Sequence, residues 1–112
     1  MAAARTMIKG IAASPGTARG IARVVQAGMG DEPIGPRDVL IVSKATPTMT
    51  PLLLSAGAVV TDLGNYISHA AVVARELGIP CVVSCGDATS RIPPGRAVVV
   101  DGDRGIVEVL EV

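Results

Sequence analysis

The chain has 112 residues, 49% of them hydrophobic, a single aromatic in Tyr66, and ten Lys and Arg balanced by ten Asp and Glu. That length suits one domain around one core, while a neutral balance without stacking aromatics argues against a nucleic-acid partner. No apolar run approaches the roughly 20 residues of a membrane span, and residues 1–6 are too short for the apolar centre of a secretory signal, so a soluble, cytoplasmic protein is expected.

Thirteen glycines and eight prolines punctuate short runs of Val, Ile and Ala, the pattern of many short strands. After a tail over 1–6, the domain is expected over 7–112. Met7 to Ala12 and Gly20 to Gln26 read as strands on either side of the turn Ser14-Pro15-Gly16-Thr17. Asp38 to Ser43 is a continuous apolar run bounded by Pro36 and Pro47, as a buried central strand would be. Thr50 to Ala56 suits a short helix with the Thr50 hydroxyl at the N-cap, Pro51 in the first helical position and Gly57 as terminator. Ala58 to Thr61 is a strand, Asp62 to Ile67 a loop, and Ser68 to Leu77 a second helix with Ala71, Val72, Ala74 and Leu77 facing inward. Gly78 and Pro80 stop that helix, and Cys81 to Ser84 returns as a strand, giving the spacing of a βαβ crossover. Arg96 to Val100 and Gly105 to Leu110 flank the turn Asp101-Gly102-Asp103-Arg104 as a C-terminal β-hairpin. The fold class is therefore α/β, with a mixed sheet and short helices.

Cys81 and Cys85 stand four apart without a second pair, so buried free thiols are expected and no metal site. The only histidine, His69, falls at the mouth of the second helix, on a loop that leaves the C-terminal end of a strand, where open α/β sheets bind ligands. Imidazole titrates near neutrality, so much of it carries a free ring nitrogen able to attack an electrophile, and a helix N-terminus offers unpaired N–H groups to an anion. Gly64 and Asn65 tolerate positive φ and allow a tight approach, and Ser68 can cap the helix or donate to a phosphoryl oxygen. Asp62 could orient His69 or cap a turn, the turn being favoured.

The run Leu63-Gly64-Asn65-Tyr66-Ile67-Ser68-His69-Ala70-Ala71-Val72-Val73-Ala74-Arg75-Glu76-Leu77-Gly78-Ile79-Pro80 resembles the signature of the phosphohistidine swivelling domain of phosphoenolpyruvate-utilising enzymes. That group includes phosphoenolpyruvate synthase, pyruvate phosphate dikinase, enzyme I and the rifampicin phosphotransferases. Gly10 to Gly16, Thr46-Pro47, Thr61-Asp62 and Gly102 to Gly105 agree with the same pattern. Two positions depart from it: Asn65 stands where a second glycine is usual, and Ile67 where many members have threonine.

The resemblance implies a compact swivelling β/β/α domain in which His69 is phosphorylated on a ring nitrogen and passes the group on. It implies that Thr46, Thr48 or Thr50 lies near the histidine and that Arg75 serves the helix face or docking, with a plain salt bridge to Glu76 or another carboxylate an equal alternative. Tyr66 is left to pack over the loop or meet a partner. The sequence contains neither an acidic metal cluster nor a basic nucleotide cradle. The expectation is thus a carrier, with ATP or phosphoenolpyruvate and Mg2+ held by a nucleotide-binding (ATP-grasp-like) or phosphoenolpyruvate-binding partner, reached by docking if the chain is complete. A regulatory module that keeps the fold without transfer, and a swivelling small subunit of a hydrolyase, are the alternatives.

Overall fold

The computed structural model describes residues 6–25 and 33–110. Eight strands form one mixed sheet: β1 (Thr6–Lys9), β2 (Ile11–Ser14), β3 (Thr17–Val25), β4 (Asp38–Val42), β5 (Ala58–Thr61), β6 (Cys81–Val83), β7 (Ala97–Asp101) and β8 (Ile106–Val109). Three short helices accompany them, α1 (Thr50–Ser55), α2 (His69–Leu77) and α3 (Ala88–Arg91). The order across the sheet is β1-β8-β7-β3-β4-β5-β6-β2, with β3 to β6 parallel and the remaining pairings antiparallel.

The first expected strand, Met7 to Ala12, is broken in two at Gly10. β1 pairs with β8, Thr6 lying opposite Val109, whereas β2 pairs with β6 at the other end of the strand order. A single residue therefore joins the two edges, and the sheet is curled until they meet. Gly10 donates its N–H to the Gly105 carbonyl at 2.8 Å, and a Cβ there would stand 2.5 Å from the Val83 carbonyl oxygen. Only glycine fits so close an approach. The second strand begins at Thr17 rather than Gly20 because β3 is paired along its whole length, first with β7 and then with β4; Gln26 and residues 1–5 lie outside the described residues.

Two apolar clusters lie on the two faces of the sheet. One gathers Ile8, Val39, Ile41, Val60, Val98 and Val107 with α3 against it through Ala88; the other gathers Leu40, Val42, Val59 and Val83 beneath α1 and α2. β4 and β5 are thus buried on both faces, which is why their sequences read as unbroken apolar runs. Helix α2 buries Ala70, Ala71 and Ala74, small side chains that let it lie close to β6. The expected inward face is corrected in part, since Val72 turns to the opposite side and Leu77 is also exposed. Gly78, at φ 74°, closes the helix as expected.

Helix α1 starts differently from the expectation. A 3-10 turn over Pro47–Met49 runs directly into it, so Met49 holds the N-cap position and Thr50 is the first helical residue. Its last cap is the Ala56 N–H on the Leu52 carbonyl, so Gly57 does not close the helix through a left-handed turn. Helix α3 has no counterpart in the sequence reading. The strand after α2 stops at Val83, because Ser84 takes a positive φ of 60° and turns the chain. The C-terminal hairpin forms as expected, β7 and β8 flanking the turn at 102–105.

Candidate functional site

The loop between β5 and α2 is built by its own backbone needs. Gly64 takes the positive φ, at 126°, while Asn65 stays out of that region and instead accepts the Ile67 N–H on its side-chain oxygen at 2.9 Å. The Asn65 carbonyl accepts both the Ser68 N–H and the Ser68 hydroxyl, the latter at 2.8 Å. Ser68 holds the N-cap position of α2, yet its hydroxyl is turned back to the loop and does not cap the helix. Of the two roles open to Ser68, the side-chain cap is replaced by a loop-closing bond.

His69 is the first residue of α2 and is half-buried. Its Nε2 lies 3.0 Å from the Thr50 hydroxyl, which resolves which of the three threonines is the neighbour; Thr46 and Thr48 bond each other instead, at 2.8 Å. The Thr50 hydroxyl also lies 2.8 Å from the Pro47 carbonyl, which can only accept. A hydroxyl has one proton, so that proton goes to Pro47 and the oxygen accepts from Nε2–H. In the neutral ring the lone pair is then on Nδ1, which has no hydrogen-bond partner among the described residues.

A pocket of about 540 Å³ opens at the C-terminal ends of β4 and β5, lined by Lys44, Thr46, Thr61, Asn65, Ser68 and His69 among others. Lys44 was missed by the sequence reading; its signal was a lone charge directly after a buried strand, on the segment that leads to Thr46-Pro47.

Other expected members are placed differently. Asp62 is buried and does not line the pocket, accepting instead the backbone N–H and the hydroxyl of Thr89 at the start of α3. It serves a cap on another element and does not orient His69. Among the described residues Arg75 bonds neither Glu76 nor another carboxylate: it donates to the Ala13 carbonyl at 2.8 Å and stacks over the Tyr66 ring, 4.2 Å from its centroid. It therefore ties α2, β2 and the loop together, and Tyr66 packs against it. Cys81 and Cys85 are buried free thiols, both pushed up to about 12 chiefly by burial. No described helix is long and apolar enough to cross a membrane.

Comparison with known proteins places this geometry in a family. The family model for the mobile domain of PEP-utilising enzymes matches residues 34–105, from just before β4 through the turn between β7 and β8. Phosphoenolpyruvate synthase of Pyrococcus furiosus is 42% identical over 104 residues, which is 93% of this chain and 13% of that enzyme. The chain thus spans about an eighth of the length of that relative. A solution structure of the Enzyme I (nEIt) protein superposes with a TM-score of 0.60 at 36% identity, over 74% of this chain and 34% of the other. Aconitase X of Thermococcus kodakaraensis, at 21% identity and a TM-score of 0.69 over 95% of this chain and 99% of that one, shares the fold alone. With the loop, the histidine and the helix that follows all inside the matched region, the chain belongs to the family of PEP-utilising enzyme mobile domains.

Proposed function

We propose that this domain is a phosphoryl carrier that takes a phosphoryl group on His69 and yields it to an acceptor held elsewhere. The observation that supports this reading best is the placing of the one histidine at the first residue of α2, on the wall of an open pocket, with a ring nitrogen that no described residue bonds. In the transfer, a ring lone pair attacks phosphorus, an N–P bond forms, and the P–O bond to the donor breaks with its electron pair leaving on the donor oxygen. The reverse exchange delivers the group to the acceptor.

Thr50 governs what each nitrogen can do. Attack through Nδ1 leaves the Nε2–H bond to Thr50 in place; attack through Nε2 requires that bond to break and the ring to turn. Ser68 and the first N–H groups of α2 lie beside the histidine, where a helix N-terminus favours an anion. Arg75 acts at a distance, holding Tyr66 and with it the loop.

The donor, ATP or phosphoenolpyruvate with Mg2+, is assigned to a nucleotide-binding (ATP-grasp-like) or phosphoenolpyruvate-binding partner domain or protein. Its phosphates need metal and cationic clamps, which that partner supplies, while this domain brings the acceptor nitrogen.

The test is labelling with phosphoenolpyruvate or ATP in the presence and absence of a partner carrying those binding domains, read by intact mass. One phosphoryl group is expected only with the partner, lost in acid, stable in base, and absent from His69→Ala. Acid-stable label, label on the His69→Ala protein, or robust labelling without a partner would sink the carrier reading.

A further inference from the structure

We propose that Lys44 holds the phosphoryl group, its ammonium meeting the charged oxygens carried by phosphorylated His69; this deepens the carrier reading and rests on it. Lys44 lines the same pocket as His69, and among the described residues it is, apart from the imidazole, the only ionisable side chain that does. No carboxylate pairs with it among the described residues. Asp62, the acidic residue of the facing loop, is committed to Thr89 and does not line the pocket.

The backbone that carries Lys44 is fixed relative to the histidine loop. The Asp62 N–H donates to the Val42 carbonyl at 3.1 Å and the Leu63 N–H to the Ser43 carbonyl at 2.9 Å, so the segment leaving β4 is laced to the one leaving β5. Ala45, next in the chain, is buried in the cluster beneath α1 and α2. Lys44 is thus exposed at its tip and anchored at its root on both sides.

A phosphoryl group on a side chain carries about −1.5 to −2 charges near neutral pH. The rest of the pocket wall offers hydroxyls, an amide and backbone dipoles, none of which supplies a full opposite charge. Lysine suits the need for mobility, because a point charge on a flexible stem can follow the group from an approaching donor to the imidazole. It gives up no proton and forms no bond. Its role is to favour the charged group in this pocket, and it would contact that group directly.

Potassium phosphoramidate, which phosphorylates histidine without any partner, separates this inference from the carrier reading. Wild type, Lys44→Met and Lys44→Arg are phosphorylated with it, checked for unchanged melting, and the 31P resonance of each is followed against pH. Lys44→Met is expected to raise the second ionisation of the phosphoryl group by about 0.5 pH unit, as expected of one solvent-screened cation nearby, and Lys44→Arg to restore most of the shift. Coincident titrations of wild type and Lys44→Met would overturn the proposal and make Lys44 a solvated surface residue. Failure of folded wild type to take phosphate on His69 would overturn it as well, since the pocket would not admit the group. A normal Lys44→Met shift in a protein that no partner can label would sink the carrier reading and leave the Lys44 assignment standing.

Discussion

The loop over 62–68 and the turn over 101–105 both cross between secondary elements, yet they spend their side chains in opposite ways. In the turn, Asp101 accepts the backbone N–H groups of Asp103 and Arg104 and is gripped by the Arg104 guanidinium at 2.7 Å, which holds its carboxyl below the usual range. Gly102 donates to the Gly16 carbonyl at 2.7 Å and Asp103 accepts the Gly16 N–H. In the loop, Asn65 and Ser68 close the backbone, but Leu63, Tyr66 and Ile67 remain 56%, 55% and 78% exposed. One crossing is consumed in holding the sheet closed. The other holds its shape with two polar residues, packs Tyr66 on Arg75 and leaves Leu63 and Ile67 on the surface.

The sharpest way to break that contrast is to disturb the closed turn. A Cβ on Gly102 would stand 1.9 Å from the Ser14 carbonyl oxygen, backbone against backbone. Gly102→Ala should therefore cost at least about 3 kcal/mol or prevent folding, as overpacking at a site that cannot relax does, and a urea melt checks it. The core that both crossings rest on gives the next effect. Cys81 and Cys85 ionise at about 12 in the fold against 9.0 for the free thiol, so the unfolded chain loses their protons first as pH rises. The stability they contribute is whole below pH 9.0 and is lost as pH climbs through about 12. Urea midpoints should fall across that window, and less steeply in Cys81→Ala.

Two milder changes address the loop itself. Arg75→Met removes the bond to Ala13 and the stack on Tyr66, and should cost about 1–2 kcal/mol while raising Tyr66 mobility, measured by melting and ring NMR linewidths. Thr50→Val should alter stability by less than about 1 kcal/mol, but remove the acceptor of Nε2–H, so the His69 tautomer balance should shift toward Nδ1–H in long-range 15N spectra. An unchanged tautomer would show that Thr50 does not select it. Ile67→Glu should leave stability within about 0.5 kcal/mol and yet lower the rate at which a partner labels the domain; an unchanged rate would show that Ile67 does not meet the partner.

What the sequence disclosed follows from what is local. Strands such as Asp38–Val42 and the C-terminal hairpin were legible because burial on both faces, or a Gly-rich turn, writes itself into neighbouring residues. The motif residues that line the pocket, Gly64, Asn65, Ser68 and His69, could be picked out together because the segment from Gly64 to Pro80 is continuous in sequence. What was not legible depends on distant partners. Helix α3 is four residues of unremarkable propensity, capped by Asp62 from 27 positions away. The break at Gly10 exists only because β6 and β8 meet there. Thr50 is chosen over Thr46 and Thr48 by the 3-10 turn that leads into α1, and Arg75 finds a carbonyl 62 residues earlier in place of a nearby carboxylate.

The pairing of β1 with β8 sets Thr6 opposite Val109, so the first and last described strands run side by side. A domain of this design set into a longer polypeptide hangs from two adjacent points, much as a door hangs from one edge of its frame. It can then rotate as a rigid body while both connections bend together and neither strand has to peel from the sheet. How far such a body reaches is fixed by the length and stiffness of the paired connections. For the proposed carrier, lengthening or stiffening those connections should change how often the histidine meets its donor and acceptor without touching the chemistry at His69.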